Sequence, residues 1–533
     1  MPNFLVYKNA SDETPFVTLS LPLSDVTSVK EFFTTVAKAS RKFSFKNYGV
    51  SHESILKICT ISTDDATFVP LEESMIPNLS CSDAVIKIVL PPQVITEKKQ
   101  PKSNNTAVIN DYFSFLDQHR KSQWHCTNHL AKSLLAAGAV EITEDTPFNT
   151  LKKDTTYFMR RNEGSCLFAF TVPSNNTGRV VATGAHCDIP AFLMKPTTIS
   201  QREKYAIIPA EIYGGLLPYS WFNRDLGIAG RVITVDKNGE LRHRLVDLPS
   251  VATIPTIAPH LNNGAGMEKV APDMSAERLH PVISLYGANV AKDFTKALVG
   301  NEELQTFDLR LYDMQGPALF GLNKEFIHAQ GQDDGICCFG LTRGYIDAIK
   351  KGVNDISVLC IYDNEEIGSE TAYGANSRFF SNLIEKISKG FDVEIKVGES
   401  MFFSCDVGHA DIHSDKSDQW CAVTHGNGVG IRLNAKQLNV SSAITTSVVK
   451  NVAKKNGVSV QIESRRNNIV GGSTISRFIA SDSLMRVCDL GVCLTSMHGV
   501  REISHVNDLV SICDLSSALY RDSTATMMSI KKD

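Results

Sequence analysis

Four short apolar runs in this 533-residue chain end on side chains that bind metals. RVVATGAH (179–186) ends on His186, with Asp188 two residues on. ISVLCIYDNEE (356–366) ends on Glu365 and Glu366. MFFSCD (401–406) ends on Asp406, with His409 three later, and GVCLTSMH (491–498) ends on His498. A fifth acidic point, Asp333-Asp334-Gly335, opens the apolar, helix-like segment ICCFGLTRGYIDAI. Histidine nitrogen and carboxylate oxygen are zinc donors. In open α/β sheets, ligands sit beyond the carboxyl ends of the strands, so four such ends could share one crevice. One carboxylate can bridge two ions, and an Asp in a tight, glycine-flanked turn suits that task. Two ions about 3.5–4 Å apart can share a hydroxide nucleophile and polarise a carbonyl.

Taken singly, each element has a plainer use. His186 could pack at a strand end, and Asp333 and Asp334 could complement a helix N-terminus. Glu365-Glu366 could be a solvated strand-to-helix turn, although two adjacent like charges so close behind the apolar run SVLCIY argue for more. Their joint occurrence is what points to a metal centre. Other chemistries lack their motifs: there is no H-E-x-x-H, no phosphate-binding glycine loop and no G-x-S-x-G. Gly426-x-Gly428-x-Gly430 lacks dinucleotide spacing and reads as a turn. His125 and His129 fall in an amphipathic helix without a cysteine pair, and Cys337-Cys338 reads as helix core.

The elements that must position these residues read as α/β. The length predicts about three to four units at roughly 100–200 residues per domain. Apolar residues at 43% and charged residues at 21% exclude wholesale disorder. A net charge of −4 lacks the basic excess of a general nucleic-acid binder. No apolar run approaches the roughly 18 residues of a membrane span, and the N-terminus does not read as a secretory signal. Thirteen cysteines, an odd number without a framework, read as free thiols in a reducing, cytoplasmic compartment. Residues 1–92 read as a small α+β unit with strand-like runs at 14–21, 55–62, 67–72 and 84–90 and a helix at 28–43, an order like a β-grasp, ubiquitin-like module. Residues 93–107 read as a polar linker. From 108 onward strand and helix patterns alternate, predicting a mostly parallel sheet flanked by helices. Residues 197–327 interrupt that alternation with strands and loops, an inserted β-rich domain that divides the catalytic region into 108–196 and 328–533.

From about 108 to 533 the chain resembles the aspartyl aminopeptidase family, dinuclear-zinc exopeptidases that assemble as dodecamers. The motifs are MRRNEGSCLFAF (159–170), GAHCDIPAFLMKP (184–196), WFNRDLGIAGRVI (221–233) and IPTIAPHL (254–261). They continue with YDNEEIGSETAYGA (362–375), SCDVGHA (404–410), GGSTISRFIAS (471–481) and MHGVRE (497–502). The resemblance implies two Zn²⁺ per subunit, held by His186, Glu366, Asp406 and His498 with Asp333 as the bridge. It makes Glu365 the general base and Asp188 the carboxylate that orients His186. His260 matches a histidine lent to a neighbouring subunit, which would make 197–327 a dimerisation domain in a homo-oligomer. Arg432, His409, Gly471 and Gly472 are expected at the substrate pocket. The implied reaction releases one residue, Asp or Glu first and neutral residues as the alternative, from peptides with a free N-terminus. Neither nucleic acid nor a membrane is an expected partner. The chain departs from the family at Cys187, Ile189, Asp334, Arg432 and Asn439. A different class of reading makes the chain a catalytically weak scaffold acting through residues 1–92.

Overall fold

The computed structural model describes residues 103–531, except 198, 257, 259, 261–278, 411–422 and 465–470, together with the backbone of five strands in the first 102 residues. The chain divides into two units, Met1–Lys102 and Ser103–Asp533. In the first, the strands Asn3–Tyr7, Val17–Ser20, Cys59–Ser62, Val69–Pro70 and Val85–Val89 form one sheet. Its order is second, first, fifth, third, fourth. The first and fifth strands run parallel from Asn3↔Val85 to Tyr7↔Val89. Each of the four strand-like runs holds one of these strands. Asn3–Tyr7 is an addition to them, and the expected helix at 28–43 lies outside the described residues.

The second unit is built on a nine-stranded sheet. Its centre is four parallel strands, side by side in the order Arg486–Gly491, Met401–Cys405, Val180–His186 and Ile356–Tyr362. Every residue of Val180–His186 and of Ile356–Tyr362 is buried, as a strand covered on both faces requires. Alternate residues serve opposite cores. Val181, Ala185, Leu359 and Ile361 face one, formed with the helices Ser103–His119, Gln332–Lys351 and Val506–Met528. Val180, Ala182, Val358 and Cys360 face the other, formed with Phe379–Phe391. Flanking strands on both sides run antiparallel to this centre. Residues 103–107, expected in the linker, are instead the start of the helix Ser103–His119. Val108 of this helix packs on the core.

The β-rich segment carries a five-stranded antiparallel sheet: Ala210–Tyr213, Ala191–Met194, Glu303–Asp313, Leu226–Val235 and Leu241–Ala252. It has its own core, with Trp221, Ile228 and Leu311 fully buried. The sheet recruits Ala191–Met194, ahead of residue 197. At the other end Phe326–Ala329 pairs with Glu502–His505. The described cysteines are free and buried. Among the described residues no helix is long and apolar enough to cross a membrane.

The helices Gln332–Lys351 and Val506–Met528 meet through glycines. A Cβ at Gly344 would lie 2.5 Å from Ser516 Cβ and 2.8 Å from the Cys513 carbonyl, and one at Gly340 would lie 2.6 Å from Ile512 Cγ2. Gly344→Ala is therefore expected to lower unfolding free energy by about 1–3 kcal/mol through overpacking, measured by urea denaturation. A stability equal to wild type would show that the helices separate freely.

Candidate active site

The four central strands deliver their carboxyl ends to one place. His186 is the last residue of its strand, and Asp406 follows Met401–Cys405 directly. Glu365 and Glu366 lie in a short 3₁₀ turn three residues beyond Tyr362. His498 is delivered differently from the expectation. Its neighbouring strand is Arg486–Gly491, continued only by Cys493–Leu494, and His498 stands in the loop beyond with φ of 64°. Asp333 and Asp334 head the helix Gln332–Lys351 but keep non-helical backbone angles, and the peptide between them is cis.

Asp333 stands at the centre. Its Oδ1 lies 3.3 Å from His186 Nε2 and its Oδ2 3.3 Å from His498 Nε2. Asp406 Oδ1 is 3.7 Å from His186 Nε2, and Glu366 Oε2 is 3.5 Å from His498 Nε2. Two groups of three donors result, His186–Asp333–Asp406 and Asp333–Glu366–His498, with ligand atoms within 4.8 Å of one another in each. Glu365 belongs to neither, and its Oε2 is 4.0 Å from His186 Nε2.

Both histidines spend Nδ1 on the main chain, His186 on the Asp188 carbonyl and His498 on the Gly215 carbonyl, each at 3.0 Å. That leaves Nε2 facing the carboxylates, the arrangement of a ligating imidazole. The Asp188 carboxylate lies 3.5 Å from His186 Nδ1. Its closer contacts are the main-chain N–H groups of Glu365 and Glu366, both at 3.1 Å, and the Tyr213 hydroxyl at 2.8 Å. Glu502 does the same for the other half. Its Oε2 accepts from Gln332 N at 2.7 Å and Asp333 N at 3.0 Å, and its Oε1 from His498 N at 3.0 Å. Glu502 has no role in the expectations, although it closes the motif MHGVRE; its buried charge among catalytic motifs was the available signal. Nothing in the sequence singles out Gly215.

The electrostatics ask for a cation. Burial, with Asp333 beside it, pushes the Glu366 carboxyl well above its usual range. Burial, opposed by His186 and reinforced by Asp406, pushes Glu365 up to about 8. Burial disfavours charge on His186, but Asp188, Asp333 and Asp406 outweigh it and raise that pKa. Asp333 Oδ1 and Glu366 Oε1 are buried without a hydrogen-bond partner. Such oxygens are costly unless something positive meets them. The donors are nitrogen and oxygen in two groups with a shared carboxylate, which fits zinc.

A cavity of about 440 Å³ opens over the cluster. His186, Asp333, Glu365, Glu366, Asp406, His498, His409, Arg432 and Gly472 line it, with Leu217, Val407, Phe478 and Met497 as apolar wall. Asp188 is buried behind it. Gly471 is not on its wall, and His260, exposed in a 3₁₀ turn, is also outside it. A larger cleft of about 620 Å³, lined by Asp111, His129, Arg343 and Asp347 among others, holds none of these residues. The Arg432 guanidinium is already engaged. Nε meets Glu463 Oε2 at 3.2 Å, Nη1 meets Asp489 Oδ1 at 2.6 Å, and Nη2 donates to the Asp406 carbonyl at 2.6 Å.

A parallel-centred sheet with histidines and carboxylates gathered beyond its strand ends defines the class of metal-dependent hydrolases. Residues 115–520 match the Aminopeptidase I zinc metalloprotease (M18) family, and the chain belongs to that family, a zinc metalloaminopeptidase. It is 30% identical over 450 residues to aspartyl aminopeptidase 4 of Saccharomyces cerevisiae, covering 75% of this chain and 91% of that protein. The crystal structure of prApe1 superposes with a TM-score of 0.75 at 25% identity, covering 80% of this chain and 97% of that one. The S. cerevisiae mApe1 dodecamer shares the fold, with a TM-score of 0.68 at 23% identity over 80% of this chain and 98% of that one.

Two outcomes follow. Glu502→Gln keeps one acceptor oxygen where the site uses two, so metal affinity should fall by about 10–100-fold in chelator competition, with the circular dichroism spectrum kept. Unchanged affinity would remove Glu502 from the site's support. Stripping the metal should lower the thermal midpoint, because bound ligand stabilises the native state alone. A midpoint that does not move would show that the carboxylates need no cation to coexist.

Proposed function

We propose that the two donor groups hold one Zn²⁺ each, with Asp333 shared, and that the site releases a single residue from the free N-terminus of a peptide. The observation that carries this is Asp333 itself, which turns one oxygen to each histidine. Bound zinc would polarise the first peptide carbonyl and acidify water at that position. Glu365 lies beside the donor groups without joining them. Its carboxylate accepts a proton from the attacking water and passes it to the departing amine nitrogen, as the oxygen–carbon bond forms and the carbon–nitrogen bond breaks. Asp188 holds Glu365 in place through its main-chain N–H.

For the side chain released, an uncharged residue is the reading the geometry supports best. Glu463 and Asp489 both bond the one guanidinium of Arg432, so little positive charge is left for a substrate carboxylate, and four apolar side chains share the wall. The second reading, Asp or Glu bound by Arg432, is supported by the similarity to a yeast aspartyl aminopeptidase. His409 and Gly472 contact the substrate in either case, and Gly471 shapes the adjoining loop. We further propose that the chain forms homo-oligomers, up to a dodecamer, in which the segment 197–327 pairs subunits and His260 serves a neighbouring site. The exposure of His260 and the dodecameric yeast relative support this. The strand order of the first unit supports a β-grasp module there.

The test is turnover of Asp-, Glu-, Leu-, Ala- and Arg-peptides by zinc-loaded enzyme beside Glu365→Gln. The variant should keep its zinc and lose about 10²–10⁴-fold in kcat. Leu or Ala released faster than Asp or Glu supports the first reading of the pocket, and the reverse order supports the second. No release of any residue by fully loaded wild type would overturn the aminopeptidase reading of this chain.

A further inference from the structure

A second cluster of metal donors lies away from the active site. His425 sits in the turn before the strand Val429–Arg432. Cys493 is in the short strand Cys493–Leu494, and Asp508 is in the first turn of the helix Val506–Met528. Far apart in sequence, the three place one nitrogen, one sulfur and one carboxylate oxygen within 4.8 Å of one another. We propose that His425, Cys493 and Asp508 bind a Zn²⁺ through three protein donors, with solvent on the open histidine side in the fourth position, a site separate from the Asp333 centre.

The geometry suits the ion. Zn–S of about 2.3 Å and Zn–N of about 2.0–2.1 Å at a tetrahedral angle put sulfur and nitrogen about 3.6 Å apart. Cys493 Sγ and His425 Nδ1 are 3.8 Å apart. The other ring nitrogen, His425 Nε2, is 2.9 Å from Thr495 Oγ1, a partner of the kind that fixes the ring of a ligating histidine. Asp508 accepts from Gly426 N and Gly428 N, both at 2.7 Å. It thereby holds the turn that carries His425. Phe326 packs its ring at right angles to His425, 5.7 Å between centroids. Cys493 and Asp508 are buried and His425 half-buried, so the histidine side is the way in. Burial holds His425 down to about 4, so it is neutral at pH 7 with a lone pair to give. Burial, with Asp508 and Glu463 near, pushes the Cys493 thiol up. Binding therefore forms a Zn–S bond and releases the thiol proton to solvent. Thiolate and carboxylate then match the two charges of the ion.

The ion would tie three elements that no disulfide joins: the turn at 425–428, the Cys493 strand and the long C-terminal helix. None of His425, Cys493 and Asp508 lines the active-site cavity or belongs to its donor groups, so the two sites can be tested separately.

The test uses the full chain loaded with Co²⁺ or Zn²⁺, wild type beside Cys493→Ser and His425→Gln. A thiolate–Co²⁺ charge-transfer band is expected in the wild type and absent in Cys493→Ser. Elemental analysis should find one Zn²⁺ fewer per chain in each variant than in the wild type, with turnover in zinc retained. Wild type without the band, or Cys493→Ser with the band and the same zinc count as wild type, would overturn the site. Because the first of these reads the wild type alone, a variant that fails to fold cannot shield the proposal.

Discussion

Five ionisable groups that cannot all keep their charges in a dry site meet around Asp333, and the rest of the catalytic unit is arranged to hold them there. Removing a carboxylate from water is costly unless it is paired, and here four carboxylates converge on two imidazoles. The chain keeps them from relaxing apart by fixing the backbone beneath them. Asp188 grips the N–H groups of Glu365 and Glu366, and Glu502 grips those of Gln332, Asp333 and His498. Neither carboxylate belongs to the donor groups. Each anchors a loop, so the loops are pre-organised before an ion arrives. Hydrogen bonds from main-chain N–H to a carboxylate are stronger than neutral ones, which suits them to holding like charges together.

The β-rich segment contributes to this arrangement directly. Tyr213, at the end of one of its edge strands, donates to Asp188. Two residues on, the Gly215 carbonyl receives His498 Nδ1–H, and Leu217 N donates to the His498 carbonyl at 3.1 Å. A Cβ at Gly215 would stand 2.7 Å from His498 Nδ1, so glycine is required there by contact. On the opposite side of that loop, Val500 N donates to Ser220 Oγ. His498 is thus clamped between the catalytic sheet and the inserted one. That explains how a donor side chain in a loop, at a left-handed backbone angle, can be as well placed as one at a strand end.

These contacts also explain how much was legible beforehand. His186 and Asp406 follow buried apolar runs, and burial of a parallel strand leaves a continuous hydrophobic signature whose end can be read off. Asp333 was legible because two acids directly before an apolar helical pattern are conspicuous. His498 lies beyond the strand its pattern suggests, since CLTSM is apolar enough to pass for strand while the strand ends at Leu494 and only a single bridge, Thr495 to Ile503, follows it. Glu502 and Gly215 act through the main chain of distant residues, and hydrogen bonds to backbone leave no periodic trace. The same holds for the helix start at Ser103, where polar residues that look like linker are a helix's first turn.

Arg432 shows the limit of reading charge from sequence. A lone arginine in a pocket motif suggests a place for an acidic substrate, because the fork of a guanidinium fits a carboxylate in two contacts. In the folded chain that fork is spent internally. Asp489 lies fully buried on the neighbouring strand Arg486–Gly491, Glu463 on the other neighbour, Val460–Glu463, and the Asp406 carbonyl completes the set. The pKa of Arg432 is raised even against burial, by Asp489, Glu463 and Asp406, so the cation is permanent and already matched. Its first task is to lock the loop that carries Asp406, and with it a metal-facing carboxylate, to the far half of the sheet. A substrate carboxylate would have to compete with two buried anions for the same donors, which is the physical ground of the proposed preference for an uncharged residue.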